Sequence, residues 1–173
     1  MSASHLYLVL GGARSGKSRH AETLIETLPK PWHYVATAQA FDDEMRERIW
    51  RHRERREDGW RTLEAPVELA ASLDDCPPGE PVLVDCLTLW LTNLMLGDHD
   101  VASAVEALMA ALKKREGTTV LVSNEVGLGI VPENRLARAF RDDAGALHAR
   151  LAAAAQSVHF LVAGIPTIIK EPT

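Results

Sequence analysis

Two cysteines, Cys76 and Cys86, are all that the sequence contains. Cys76 precedes a Pro-Pro-Gly turn and Cys86 ends an apolar run, so there is no second pair to build a zinc site, and two free thiols fit a reducing compartment. An excess of positive charge is also missing, because 19 Lys and Arg stand against 24 Asp and Glu for a formal charge of −5. Without a broad basic surface, DNA and RNA are not expected partners. Met1 to His5 hold no basic segment leading into a long apolar stretch, and no later run is long and uninterrupted enough to span a bilayer. A cytoplasmic protein without a membrane span is therefore expected. No internal repeat or low-complexity tract occurs, and the alanine-rich Ala152 to Ala155 reads as helix.

What is present is 173 residues of 46% apolar composition, enough to bury one substantial core but too few for two comfortable domains. A single domain over residues 1–173 is expected. Short apolar or β-branched runs alternate with longer helical patterns, which predicts an α/β fold with a mainly parallel central sheet covered by helices. The candidate strands are Leu6 to Leu10, His33 to Ala36, Val82 to Asp85, Thr119 to Ser123 and Val158 to Ala163, with Thr167 to Ile169 turning back beyond Gly164 and Pro166. Several are nearly all apolar, as strands covered on both faces should be. Helices are expected over Lys17 to Leu28, Asp42 to Glu57, Val67 to Leu73, Leu87 to Leu96, Ala102 to Arg115 and Glu133 to Ala154. Asp98 or Asp100 is placed to cap the fifth of these, whose buried stripe is Val105, Leu108, Met109 and Leu112.

The strongest motif is Gly11-Gly12-Ala13-Arg14-Ser15-Gly16-Lys17-Ser18. It follows the first apolar strand and opens a helix, which is the required context of a Walker A phosphate loop and makes a three-layer P-loop NTPase-like fold the expectation. The glycines let backbone amides wrap closely around phosphates, Lys17 brings positive charge to the terminal phosphates, and the Ser18 hydroxyl is placed to ligate Mg²⁺. The bland alternative is a glycine-rich strand-to-helix turn. A second metal anchor should end a buried strand, and Asp85 closes Val82 to Asp85. It could equally cap the helix that begins at Leu87, or do both.

Two further segments carry chemistry. In Asp42 to Glu57, Met45 and Ile49 mark one side, while Arg48, His52 and Arg55 or Arg56 recur on another. A histidine on a basic helix face reads first as solvated surface; flanking arginines would also keep its imidazole neutral and hold phosphates near, as a nucleophile requires. The stretch Ser123-Asn124-Glu125-Val126-Gly127 through Pro132-Glu133-Asn134 begins where a strand ends, and in parallel sheets ligands bind at that end. Glu125 could orient or deprotonate a hydroxyl nucleophile, or only brace the loop through backbone amides.

Taken together, the phosphate loop with Arg19, Asp42-Asp43-Glu44-Met45 with Arg48-Ile49 and His52, Trp60-Arg61-Thr62 with Glu64, and Asn124-Glu125-Val126-Gly127 through Pro132-Glu133-Asn134-Arg135 resemble the bifunctional adenosylcobinamide kinase/adenosylcobinamide-phosphate guanylyltransferase family. The match spans nearly the whole chain, and its late stretch is far more specific than the Walker A loop. The resemblance implies phosphorylation of adenosylcobinamide with ATP or GTP, followed by GMP transfer from GTP to the new phosphate. His52 aligns with the family's guanylylated histidine. Nucleotide contacts are implied for Gly11, Gly12, Ala13, Arg14, Ser15, Gly16, Lys17 and Ser18, for the Ala36-Thr37-Ala38 turn, and for Arg53, Glu54, Arg55, Arg56, Glu64 and Asp85. Where relatives can carry glutamate, this chain has the shorter Asp85, and the run after His52 also departs from the family pattern. No Asn-Lys-x-Asp guanine motif occurs, so use of GTP is implied by the resemblance alone, as is a homo-oligomer, expected to be a trimer. The competing readings are a monofunctional P-loop kinase for another small alcohol and a non-enzymatic nucleotide switch.

Overall fold

Strands that are apolar on both sides need cover on both sides, and the computed structural model, which describes residues 4–39 and 58–172, provides it. In chain order the elements are β1 (His5–Gly11), α1 (Lys17–Glu26), β2 (Trp32–Ala36), β3 (Trp60–Glu64), α2 (Leu69–Asp75), β4 (Val82–Asp85), α3 (Leu87–Leu96), α4 (Val101–Lys114), β5 (Thr118–Asn124), α5 (Arg135–Ala154), β6 (Ser157–Val162) and β7 (Ile165–Lys170). They form one seven-stranded sheet in the order β3-β2-β4-β5-β1-β6-β7. All neighbours are parallel except β6 and β7, which are antiparallel.

The period-2 alternation of the strands divides the core in two. Leu8, Leu10, Val82, Val84 and Leu121 face α2 to α5, meeting Leu69, Leu73, Leu87, Trp90, Leu94, Leu108, Leu147 and Leu151. Val9, Leu83, Val120 and Val122 point the other way, onto Ala21 and Ile25 of α1. The α/β expectation is met, and the six expected strands and five of the expected helices are found within a few residues of their anticipated bounds. The sixth, over Asp42 to Glu57, lies outside the described residues. Asp100, rather than Asp98, caps α4, its Oδ1 accepting from the Ser103 amide at 3.0 Å. The strand not anticipated is β3. Arg61 and Thr62 are exposed, so its sequence lacks a buried alternation; pairing with β2, in register Trp32 with Trp60 through Ala36 with Glu64, makes it a strand.

The antiparallel hairpin is tied back to the centre by a chain of polar contacts. His20 of α1 shares a proton with His159 of β6 (Nε2 to Nδ1, 2.8 Å), and His159 Nε2 reaches Glu171 at 3.0 Å. The Ser157 hydroxyl donates to the other Glu171 oxygen, and His5 is hydrogen bonded to Ser157 at 2.9 Å. Burial lowers the pKa of His20, and the neighbouring His159 lowers it further; burial also lowers that of His5, against an opposing pull from Glu171.

Two outcomes follow for stability. Leu121 is fully buried at the centre of the sheet, so Leu121→Ala should cost about 3 kcal/mol in urea unfolding, while Lys113→Ala on the exposed face of α4 should stay within about 0.5 kcal/mol. Because the folded state holds His20 and His5 below their unfolded value of 6.5, the unfolded chain takes up protons first as the solution is acidified. Their contribution is therefore complete above about pH 6.5 and is lost as pH falls below it. Thermal unfolding between pH 7.5 and 5.5 should show that decline, with a shallower slope in His20→Asn.

Candidate functional site

Parallel pairing brings the ends of five strands to one edge. Gly11 of β1 is in register with Asn124 of β5, Asp85 of β4 with Val122 of β5, and Ala36 of β2 with both Asp85 and Glu64. The phosphate loop, the Ala36-Thr37-Ala38 turn, Glu64, Asp85 and Glu125 thus all leave the carboxyl edge of the sheet, where α/β proteins bind ligands. His52, Arg53, Glu54, Arg55 and Arg56 lie outside the described residues.

The loop between β1 and α1 has the conformation its residues allow. Gly16, immediately before the helix, is left-handed at φ 92°, and Arg14 also has positive φ, 54°. Gly11 is restricted by space instead: a Cβ there would lie 2.5 Å from Ser15 Oγ and 2.8 Å from the Leu161 carbonyl oxygen. Gly12, Ala13 and Arg14 are exposed, whereas the Ser15 hydroxyl is buried without a hydrogen-bond partner among the described residues. From behind, the Gly164 amide in the β6–β7 turn donates to the Ser15 carbonyl at 2.9 Å. A glycine-rich turn opening a helix N-terminus, with a hydroxyl still to be satisfied, suits a polyphosphate chain.

Lys17 begins α1 and is itself largely buried, its ammonium donating to the Gly12 carbonyl at 2.8 Å. Burial lowers its pKa, while the Asp85 carboxylate and the Cys86 thiol favour the charged form. Lysine and aspartate therefore act on one another electrostatically across the mouth of the site. Asp85 is held from the side by the Tyr34 hydroxyl, which donates to its Oδ2 at 3.0 Å. Thr37 is fully buried; its hydroxyl donates to the Cys86 carbonyl and accepts from the Cys86 amide, while Asn93 donates to its carbonyl. These contacts bind the end of β2 to the end of β4 and fix the direction in which Asp85 leaves the sheet. Burial raises the Cys86 thiol pKa, as does Asp85, so the thiol stays protonated beside the site.

Glu125 follows β5 directly, and its amide donates to the Gly11 carbonyl at 2.9 Å, placing it next to the phosphate loop. Its Oε1 accepts from the Gly127 amide, a contact that braces the loop as the sequence allowed. Its Oε2 lies 3.8 Å from Nδ1 of His148, a buried residue of α5 whose Nε2 is 2.7 Å from Ser123 Oγ. Sequence reasoning missed His148. The signal was a lone histidine within the apolar stripe Ala144, Leu147, Leu151, where it reads as core. Beyond Glu125 the loop borders an open apolar groove of about 400 Å³ lined by Met95, Leu96, Val126, Pro132, Leu136 and Phe140. Ile130, on the same loop, is 97% exposed. A cavity of about 500 Å³ lies at the opposite edge of the sheet, around Leu6, Gly117 and Gln156, remote from all the residues above.

Comparison with known proteins agrees with this geometry. The bifunctional adenosylcobalamin biosynthesis protein CobP of Pseudomonas aeruginosa is 51% identical over 169 residues, covering 95% of this chain and 98% of that protein. The bifunctional adenosylcobalamin biosynthesis protein CobU of Salmonella typhimurium is 45% identical, covering 95% and 99%. Among solved structures, a protein from Pyrococcus horikoshii OT3 superposes with a TM-score of 0.57 at 12% identity, covering all of this chain and 89% of the other. The flagellar accessory protein FlaH of Methanocaldococcus jannaschii does so with 0.51 at 11% identity, covering 97% and 79%; both likenesses show the fold alone. Residues 7–169 match the family described as cobinamide kinase / cobinamide phosphate guanyltransferase, and the chain belongs to that family.

Proposed function

We infer that this chain phosphorylates adenosylcobinamide with ATP or GTP and then transfers GMP from GTP to the adenosylcobinamide phosphate, forming adenosylcobinamide-GDP. The observation that carries the reading is the convergence at one sheet edge of a phosphate loop, a lysine electrostatically coupled to Asp85, and Glu125 bonded to the loop's first residue. In the kinase step the loop amides and Lys17 hold the polyphosphate and neutralise charge that develops on the transferring group. Glu125 orients the incoming hydroxyl and takes its proton. The groove beside Glu125 gives a bulky, partly apolar substrate a surface on which to rest.

Ser18 at the start of α1 and Asp85 at the end of β4 offer hard oxygen donors that fit Mg²⁺, which keeps several waters and takes the rest of its shell from phosphates. When bound, that ion neutralises phosphate charge. In the transferase step the His52 imidazole attacks the α-phosphate of GTP, the bond to the β-phosphate oxygen breaks, and pyrophosphate leaves. The cobinamide phosphate oxygen then attacks the guanylyl phosphorus, the phosphorus–nitrogen bond breaks and the imidazole leaves, so that one difficult exchange is split into two displacements. Arg53, Glu54, Arg55, Arg56, Glu64 and the Ala36-Thr37-Ala38 turn complete the nucleotide contacts.

A single domain over residues 1–173, acting in the cytoplasm as a homotrimer, completes the proposal. Among the described residues no helix is long and apolar enough to cross a membrane. The outermost strand β7 exposes Ile165, Ile168 and Ile169, an apolar edge that supports self-association.

With GTP labelled at the α-phosphate, the wild-type protein should form an acid-labile, alkali-stable adduct that His52→Ala lacks; no adduct on active enzyme would remove the guanylyltransferase assignment. Lys17→Ala should slow both reactions roughly 10²- to 10³-fold, whereas His52→Ala should retain much of the kinase rate. Gly11→Ala, which drives a methyl group into Ser15 Oγ and the Leu161 carbonyl, should abolish nucleotide binding in calorimetric titration.

A further inference from the structure

Ser123, His148 and Glu125 occur in the order of a hydrolytic triad, yet no nucleophile is on offer. Ser123 Oγ lies 2.7 Å from His148 Nε2, and Glu125 Oε2 lies 3.8 Å from His148 Nδ1. Ser123, however, is fully buried with 0% exposure, so no substrate can reach its hydroxyl. His148 is nearly as enclosed, at 7%, while Glu125 is the half-buried member beside the phosphate loop. The relay therefore runs outward, from a buried anchor through an imidazole to a carboxylate at the site.

The hydrogen bonds also choose the tautomer. If the Ser123 hydroxyl donates to Nε2, the ring proton resides on Nδ1 and faces the carboxylate. The other arrangement would leave the buried hydroxyl proton with no acceptor among the described residues and would turn the Nδ1 lone pair onto Glu125. Both faults disappear together in the Nδ1–H form. Meanwhile the second Glu125 oxygen is held by the Gly127 amide, and Arg141 Nη2 donates to the Gly127 carbonyl at 2.6 Å, so each end of the carboxylate has a fixed neighbour.

We propose that His148 is a positioning residue for Glu125: anchored by Ser123, it directs Nδ1–H at the carboxylate and keeps it aimed for proton transfer in the kinase step. The assignment rests on the reading of Glu125 given above. A buried imidazole is suited to the task because desolvation disfavours its charged form, and Glu125, the charged group that acts on it among the described residues, opposes that effect without reversing it. The neutral donor consequently persists at pH values below the ordinary histidine range, and the carboxylate faces a dipole rather than a competing cation.

Two amide substitutions separate this role from simple packing. An asparagine nitrogen can take the place of Nδ1 and still face Glu125, whereas a glutamine amide takes the place of Nε2 and reaches Ser123 alone. His148→Gln should lower the kinase kcat roughly tenfold. Nucleotide KM and labelling of the protein by α-labelled GTP should stay unchanged. His148→Asn should keep the kinase rate within about threefold of wild type, and Glu125→Gln/His148→Gln should be no slower than Glu125→Gln. A structural role predicts the reverse order of the two amides, and multiplying losses in the double variant would overturn the proposal.

Nitrogen-15 NMR of the unsubstituted protein reads the pairing without any turnover. His148 should appear as the Nδ1–H tautomer with a titration midpoint below 6.5, and the midpoint should fall further in Glu125→Gln. An Nε2–H tautomer, or a midpoint indifferent to Glu125, would refute it. Should Glu125→Gln retain full kinase turnover, the role given to Glu125 in catalysis fails, and with it the effect assigned to His148 on that step; the titration then still decides whether the pair exists.

Discussion

The pairing of β1 with β5 is the constraint on which the site depends. Seven consecutive register pairs, from His5 with Thr118 to Gly11 with Asn124, make the two strands stop together. One more hydrogen bond, from the Glu125 amide to the Gly11 carbonyl, continues the ladder by a single step into the loops. The phosphate loop and Glu125 both leave the sheet at that point. A slip of one residue would turn Val9 and Leu121 to the wrong faces as well as separating the two loops, so the apolar pattern of the core and the geometry of the site are enforced by the same pairing.

The chemistry of the edge follows from how few groups are left to act. Thr37 Oγ1, Asn93 Nδ2, Thr88 Oγ1 and Asn124 Nδ2 are engaged with neighbouring side chains or backbone, as in the 2.8 Å contact from Asn124 Nδ2 to Thr88 Oγ1. These groups hold the strand ends still. Lys17, Ser18, Asp85 and Glu125 leave the same edge of the sheet, Lys17 buried and the other three partly buried. A site of this construction reorganises little when charge shifts during phosphoryl transfer, which is the condition under which fixed charges and amides are most effective.

Much of this was legible in the sequence, for local reasons. The phosphate loop could be read because its glycines, lysine and serine are contiguous and its strand and helix flank it directly. Asp85 could be read because a carboxylate ending a run of buried valines and leucine needs an explanation. What could not be read depends on partners far along the chain. β3 is a strand by virtue of β2, and its own exposed Arg61 and Thr62 gave no alternation. The strand order, which inserts β5 between β1 and β4, arises from non-local parallel pairing that no sequence window contains. His148 escaped for the same reason: on its helix it resembles filler, and only Ser123 and Glu125, more than twenty residues earlier, give it a purpose.

The contact between the Gly164 amide and the Ser15 carbonyl joins segments far apart in sequence, because the reversal between β6 and β7 is what supports the rear of the phosphate loop. Because the amide of one turn holds the carbonyl of the other, the seat for phosphate is only as firm as the hairpin behind it.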